Sequence, residues 1–186
     1  MTRIVAGVCG GRRISIPEGK GTRPTSERAR EGLFSSLESA LVGGLVGRRF
    51  LDLYAGSGAV GLEALSRGAG HAALVESDTK ALRSLRQNVS ALGLHAEVIG
   101  MSVERAVAAP ALAPFDVVFA DPPYALAPSD LAEVLGSLVA GGWLTDDAVV
   151  VVERPSRERD WSWPDGLEGE RSREYGEAVL RYARRS

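Results

Sequence analysis

The most specific chemical signal in the sequence is the run Asp121-Pro122-Pro123-Tyr124, which directly follows the apolar segment Val117–Ala120. An apolar strand would deliver Asp121 to its carboxyl end, the edge at which open α/β sheets bind ligands. Two prolines stiffen the loop and remove two backbone donors, so carbonyl groups and a carboxylate converge beside an aromatic ring. Such a site accepts the two protons of a planar exocyclic amine and stacks the attached ring. The alternative is a proline-rich turn with a core tyrosine.

The chemistry of an amine in this site follows from its weak nucleophilicity. The lone pair of an exocyclic base nitrogen is delocalised into the ring. Hydrogen bonds from its N–H groups to the Asp121 carboxylate and the Pro122 carbonyl would favour pyramidalisation and in-line attack on a sulfonium methyl group, while Tyr124 holds the base face. We therefore predict Asp121, Pro122 and Tyr124 as catalytic residues. Reaching the base requires a flipped or single-stranded nucleotide, and positioning two bound reactants would supply much of the acceleration.

A second motif is the glycine loop, which has the G-x-G-x-x-G spacing over residues 56–61. Its glycines allow a tight turn and the close approach of a ligand. Asp52, four residues before the first glycine, would repel a pyrophosphate but could hold an amino group, and Glu76, after the next strand, can accept both hydroxyls of a ribose. A ligand with a ribose and an ammonium group but no phosphates is S-adenosylmethionine. A turn that needs glycine only for packing is the alternative, and Asp78 is better suited than Glu76 to begin the following helix.

These motifs need a scaffold of alternating strands and helices, which the hydrophobic periodicity predicts from residue 49 onward. The candidate strands are Arg49–Leu53, His71–Val75, Ala96–Ile99, Asp116–Ala120 and Ala148–Glu153. The candidate helices are Val60–Arg67, Thr79–Leu92, Val103–Ala108 and Pro128–Ala140. Continuous apolar strands suit a parallel sheet that is covered on both faces. Two further strands near Arg171–Tyr175 and Ala178–Ala183 fit an antiparallel hairpin at the sheet edge.

The beginning of the chain differs in pattern and in charge. The segments Arg3–Ala6 and Arg12–Ile16, separated by Gly10-Gly11, predict a β-hairpin. A loop then runs to Pro24, and a helix with an N-cap within Thr25–Arg28 follows. Residues 1–32 hold seven basic and three acidic residues, whereas residues 33–152 hold seven basic and thirteen acidic ones. This asymmetry indicates a local patch for a polyanion, with a solvated surface as the alternative.

Composition bounds the class of protein. The chain has 186 residues, of which 45% are hydrophobic and 25% charged, and its formal net charge is -2. These values indicate one globular domain and exclude a disordered polyelectrolyte or a histone-like protein. One cysteine, Cys9, and two histidines, His71 and His95, lead us to expect neither a disulfide framework nor a metal centre. We expect no signal peptide and no membrane span, and hence a cytoplasmic protein.

The ordered motifs resemble the RsmD family of ribosomal RNA methyltransferases over essentially the whole chain. The matching segments are Arg3–Gly7, Gly11–Ile14, Thr22–Phe34, Asp52–Ala64, Asp121–Tyr124 and Arg173–Gly176. The resemblance implies an α/β, Rossmann-like class I methyltransferase domain over residues 25–186, preceded by an N-terminal β-hairpin extension over residues 1–24. The domain would hold a seven-stranded, mostly parallel sheet with helices on both faces and an antiparallel C-terminal hairpin. The implied activity is methyl transfer from S-adenosylmethionine to the exocyclic N2 of a specific guanine in 16S rRNA, in an assembled or assembling 30S particle.

Membership in that family also implies residue roles. The cofactor, with S-adenosylhomocysteine as product and without a metal, would contact Asp52, Tyr54, Gly56, Ser57, Gly58, Glu76, Ser77, Met101 and Ser102. Met101 would pack on the adenine ring, where many such enzymes place an Asp or Asn. The RNA would contact Arg12, Arg13, Arg23 and Arg28, with the first two projecting from the hairpin as a phosphate clamp. We expect a monomer.

Three other functions remain open from the sequence. An amino-methyltransferase acting on adenine N6 or cytosine N4 of DNA or RNA would use the Asp121–Tyr124 motif equally well, although the short chain leaves no room for a separate DNA-recognition domain. A non-catalytic RNA-binding assembly protein would not need intact Asp52, Asp121 and Tyr124. A nicotinamide dehydrogenase would leave Asp121–Tyr124 unexplained.

Overall fold

The computed structural model describes residues 1–17, 25–158 and 161–186, and it contains a two-stranded hairpin and a seven-stranded sheet. The strands are β1 (Thr2–Arg3), β2 (Arg13–Ile14), β3 (Arg49–Leu53), β4 (His71–Val75), β5 (Glu97–Ile99), β6 (Phe115–Ala120), β7 (Leu144–Pro155), β8 (Leu167–Tyr175) and β9 (Ala178–Arg185). The helices are α1 (Glu27–Ala40), α2 (Ala59–Ser66), α3 (Thr79–Leu92), α4 (Val103–Val107) and α5 (Pro128–Ala140). The strands and helices predicted from residue 49 onward are confirmed, and β7 is longer than expected at both ends.

The order of the strands in the large sheet is β5-β4-β3-β6-β7-β9-β8. Strands β3 to β7 run parallel, and β9 and β8 add the predicted antiparallel edge. The chain moves outward from β3 through β4 to β5 and then returns to place β6 on the other side of β3. The carboxyl ends of β3 and β6 therefore lie side by side at a reversal of strand order, which is where open α/β sheets bind ligands.

Both faces of the central strands β3, β4 and β6 are buried, as the apolar strands predicted, whereas the edge strand β8 is mostly exposed. Phe50, Val117 and Val149 point into a core that contains residues of α1, α2 and α3. Their neighbours Leu51 and Val118 point into a second core that contains residues of α4 and α5. Because side chains alternate along a strand, continuous apolar runs are needed to supply both layers. Among the described helices, none is long and apolar enough to cross a membrane.

The N-terminal hairpin packs against the domain, so the expectation of a projecting arm is wrong. Ile4, Cys9 and Ile14 are buried in the same core as α1, α2 and α3. The Asn88 side chain on α3 exchanges two hydrogen bonds with the backbone of Ser15, at 2.8 and 2.9 Å. The apolar residues of the hairpin are therefore part of the main core, and the charge of this segment does not predict that packing.

A buried ion pair connects the hairpin to two helices. Arg30 of α1 and Glu63 of α2 have fully buried side chains, and their N–O distance is 3.3 Å. The Glu63 carboxylate also accepts the backbone N–H groups of Val5 and Ala6, at 2.9 and 3.1 Å. Arg30 donates in turn to the carbonyl of Arg3 at 2.8 Å. One of the basic residues of the predicted polyanion patch is thus an internal structural group.

Candidate active site

The carboxyl ends of β3, β4 and β6 open into one cleft of about 590 Å³. All three predicted catalytic residues line it: Asp121, Pro122 and Tyr124. Seven of the predicted cofactor residues line it as well: Asp52, Tyr54, Gly56, Ser57, Glu76, Ser77 and Ser102. The glycine loop and the Asp-Pro-Pro-Tyr loop, which are separated by about sixty residues in the sequence, thus form walls of the same space.

The glycine loop leaves open space where a ligand can approach. Gly56 has a φ angle of 56°, and a Cβ atom placed on it would meet no atom within 4 Å. Tyr54, just before it, has a φ angle of 60°, an unusual value for a residue with a side chain. Backbone strain of this kind is typical of binding sites. Burial and the neighbouring Glu104 raise the pKa of the Tyr54 hydroxyl, which therefore stays neutral.

Gly58 differs from Gly56 in what its small size permits. It has a φ angle of 81°, and a Cβ atom there would lie 2.3 Å from Leu85 and 3.1 Å from Leu74. It precedes α2 and does not line the cleft. The small size of Gly58 therefore brings α2 close to α3 and β4, and its predicted cofactor contact stays a prediction.

Glu76 lies at the end of β4 and is held by backbone donors. One carboxylate oxygen accepts the N–H of Gly56 at 2.8 Å, and the other accepts those of Ser77 and Asp78 at 2.8 and 2.7 Å. The oxygen that faces Gly56 retains acceptor capacity, because a carboxylate offers about four lone-pair sites. Asp78 caps α3 by accepting from Ala81, as predicted, and the ribose contact of Glu76 stays a prediction.

Asp52 is a buried carboxylate beneath the glycine loop. It is 2% exposed, and one of its oxygens accepts the N–H of Gly61 at 2.8 Å. Burial raises its pKa to about 7, the Gly61 hydrogen bond opposes this change, and the charge of Glu76 adds to it. A cationic group in the cleft would stabilise the ionised form of Asp52. The ammonium group predicted for the ligand would supply this positive charge.

The residues after β5 form one end of the cleft wall. Ser102 lines the cleft and caps α4 by accepting from Arg105 at 3.4 Å. Met101 is 38% exposed and is not part of the cleft wall, and its packing on an adenine ring stays a prediction. Val103, which the sequence analysis passed over, is the apolar side chain that lines this part of the cleft.

Asp121 meets two partners that the sequence analysis missed. The Thr25 hydroxyl lies 3.4 Å from the Asp121 carboxylate and donates to Glu153 at 2.8 Å. Burial raises the pKa of Asp121, and the negative charges of Glu153 and Asp52 raise it further. Burial likewise raises the pKa of Glu153. The sequence feature that could have identified Glu153 is its position directly after the apolar run Val149–Val152, on the strand beside β6.

The predicted RNA-binding arginines occupy different environments. Arg12 donates to the carbonyl of Leu92 at 3.0 Å and to that of Ala91, so it caps the end of α3. This contact gives Arg12 a structural role, and its predicted RNA contact stays a prediction. Arg12, Arg13 and Arg28 are all exposed. Arg23 lies outside the described residues, and its RNA contact stays a prediction, as do those of Arg13 and Arg28.

The described part of the chain contains no group of three or more His, Cys, Asp and Glu side chains that could hold a metal ion.

The comparisons with known proteins agree on one family. A family model described as conserved hypothetical protein 95 matches residues 2–184. Ribosomal RNA small subunit methyltransferase D of Escherichia coli (strain K12) is 38% identical over 152 residues, which are 81% of this chain and 73% of the relative. The solved structure of yhhF from Escherichia coli has a TM-score of 0.86 and 34% identity, and it covers 99% of this chain and 97% of its own. An RNA methyltransferase from Salinibacter ruber in complex with S-adenosyl-L-homocysteine, at 15% identity and a TM-score of 0.66 over 87% of this chain and 93% of its own, shares the fold.

Proposed function

The chain belongs to the RsmD family, which includes ribosomal RNA small subunit methyltransferase D, and we propose that it transfers a methyl group from S-adenosylmethionine to the exocyclic N2 of a guanine in 16S rRNA. One observation carries this proposal. The rigid Asp121–Tyr124 loop and the glycine loop of β3 line a single cleft at the reversal of strand order. A site for an amine thus adjoins a site for a ligand with an ammonium group and a ribose.

The residues of the cleft fit S-adenosylmethionine. The unobstructed side of Gly56 leaves room for the ligand, the buried Asp52 carboxylate suits its ammonium group, and Glu76 suits the ribose hydroxyls. Tyr54, Ser57, Ser77 and Ser102 complete the polar lining. When bound, S-adenosylmethionine supplies an electrophilic methyl group on a sulfonium sulfur.

The remaining chemistry belongs to the loop after β6. The Asp121 carboxylate and the Pro122 carbonyl accept the two N–H groups of the amine and so hold its lone pair away from the ring. Tyr124 is 48% exposed and lines the cleft, where it can stack on the base. The nitrogen loses one proton when it gains the methyl group. Asp121 accepts one of these N–H groups and is therefore in position to take that proton. Burial and the charge of Glu153 raise its pKa, which makes it a stronger base.

The cellular setting is part of the proposal. The guanidiniums of Arg13 and Arg28 would contact phosphates around the target nucleotide. We propose an assembled or assembling 30S particle as the substrate and a cytoplasmic location, both supported by the small-subunit ribosomal RNA in the name of the relative. We also propose that the enzyme is a monomer.

The test is methylation of small ribosomal subunits from cells that lack the corresponding enzyme. Incubation with methyl-labelled S-adenosylmethionine, followed by nuclease digestion and mapping, should place the label on N2 of one guanine. Free 16S rRNA in a parallel reaction tests whether the particle is required. The Asp121→Asn variant should lose turnover and keep its cofactor affinity. Label on adenine N6 or cytosine N4, or no label from a protein that binds the cofactor, would contradict the proposal.

A further inference from the structure

A second cavity, of about 270 Å³, adjoins the cofactor cleft. Tyr124 lines both spaces, so the two sites meet at the side chain that is expected to stack on the base. The other residues that line the second cavity are Ser26, Arg28, Glu153, Tyr175, Gly176, Glu177 and Ala178. Its position beside the amine-binding loop makes it the natural place for part of a target nucleotide.

In the proposed chemistry Glu153 acts only through its charge, which raises the pKa of Asp121, and its own carboxylate is given no contact with the base. It is 4% exposed, and the hydrogen bond from Thr25 at 2.8 Å is directed to its carboxylate. A buried carboxylate is costly unless several donors satisfy it. Because β6 and β7 are paired with Ala120 opposite Val152, the next residues of the two strands, Asp121 and Glu153, follow in step. The Thr25 hydroxyl lies between them.

Two adjacent carboxylates distinguish the bases by their hydrogen-bonding edges. Guanine presents N1–H beside its C2 amine, so both neighbouring groups are donors. Adenine presents a bare N1 acceptor beside its amine, and cytosine presents a bare N3 acceptor. A second carboxylate next to Asp121 would therefore attract guanine and repel the acceptor nitrogens of the other two bases.

We propose that Glu153 reads the target base by accepting guanine N1–H while Asp121 holds the N2 amine. This inference rests on the proposed function and explains its choice of guanine, which the Asp-Pro-Pro-Tyr motif alone leaves open. The charges on both carboxylates, which burial disfavours, gain N–H partners when guanine binds. Thr25 is a positioning residue, because its hydroxyl links the two carboxylates without needing to touch the base.

The Tyr175 ring forms one wall of the second cavity and packs against α1. It lines the second cavity at the turn between β8 and β9, and a Cβ atom added to Gly32 would lie 2.0 Å from its hydroxyl. Gly32 of α1 thus lets the Tyr175 ring pack tightly against that helix. With Tyr124 at the boundary of the two cavities, aromatic rings border the space in which Glu153 meets the base.

The test uses small subunits reconstituted from ligated 16S rRNA that carries either guanine or 2-aminopurine at the mapped methylation position. 2-Aminopurine keeps the amine at C2, converts N1 from a donor into an acceptor and lacks the O6 carbonyl. The loss of O6 is the same for every variant, so the change of preference between variants reports on N1. The wild-type protein should prefer guanine in kcat/KM by about 10- to 100-fold, the effect of one hydrogen bond to a charged group. In Glu153→Gln the side-chain amide can donate to the N1 of 2-aminopurine, so this preference should shrink to near unity or reverse.

Two controls separate recognition from general damage. Glu133→Gln makes the same chemical change at an exposed position on α5 and should keep the wild-type preference. Cofactor affinity, measured by calorimetry, should be the same in all three proteins. An active Glu153→Gln variant with the wild-type preference would overturn the inference. If that variant does not fold, a wild-type protein that methylates both bases equally would overturn it instead. Failure of the wild-type protein to methylate guanine N2 would refute the proposed function itself.

Discussion

Replacing Glu63 by glutamine tests whether the buried ion pair holds the N-terminal hairpin to the domain. The Glu63 carboxylate is fully buried and accepts from Arg30, from Arg67 at 2.9 Å and from two backbone N–H groups of the hairpin. Glutamine has the same shape, but it removes the charge and presents an NH₂ group to donors. The fully buried Arg30 guanidinium then loses its counter-charge.

Removing one partner of a buried pair costs about 3–5 kcal/mol. This is a large fraction of the roughly 5–15 kcal/mol that separates a folded domain from its unfolded state. For a domain of this size the midpoint of thermal unfolding should fall by about 10 °C. Urea unfolding followed by circular dichroism gives the free energy directly. Glu38→Gln is the matched control, because the Glu38 side chain is 49% exposed and lies 3.9 Å from Arg67, a pair worth about 0–1 kcal/mol.

A Glu63→Gln variant as stable as Glu38→Gln would refute this reasoning. A further check is the double variant Arg30→Met/Glu63→Met, which removes both charges. It should recover part of the loss, because no uncompensated charge remains buried. Full recovery is not expected, since the backbone N–H groups of Val5 and Ala6 lose their acceptor.

Three other predictions concern ligand binding. Glu76→Ala should weaken S-adenosylmethionine binding about 10- to 100-fold in calorimetry, since it removes charged acceptors for the ribose; unchanged affinity would remove Glu76 from the site. Because burial raises the pKa of Asp52 to about 7 and the ligand ammonium needs the ionised form, affinity should rise with pH through that value. The Asp52→Asn variant should bind weakly with no such rise, and a wild-type affinity that does not change with pH would contradict this assignment. Arg13→Ala should weaken binding to 30S particles and lower the salt slope by about one, whereas Arg12→Ala should mainly lower the unfolding temperature; equal salt slopes for Arg13→Ala and the wild type would contradict the phosphate contact.

The strands and the main site could be predicted because their signals are local. Continuous apolar runs such as Val149–Val152 specify strands that are buried on both faces, and the bounds of β3 and β4 match the structure. Asp121 and Glu76 could be placed because each directly follows such a strand. In a parallel sheet the carboxyl ends of neighbouring strands share one edge, so the cleft follows from the strand order.

The remaining features depend on contacts between distant parts of the chain. Thr25 and Glu153 are 128 positions apart, and no local pattern shows that they meet. The charge of the first 32 residues predicts a surface patch, yet Arg30 is buried against Glu63 and Arg12 caps α3. A count of charged residues does not predict which of them are buried. The sequence alone does not predict the packing role of Gly58, because that role depends on where α3 lies in the folded structure.

The position of β9 has a consequence for how the chain is made. β9 follows β8 in the sequence but lies between β7 and β8 in the sheet. During translation β7 therefore keeps an open edge until β9 emerges, and β8 has no strand to pair with in the meantime. An unpaired apolar strand is a template for aggregation. A chain that lacks β9 would still contain both loops of the active site but would expose the edge of Val149–Val152, so we expect such a truncated chain to aggregate.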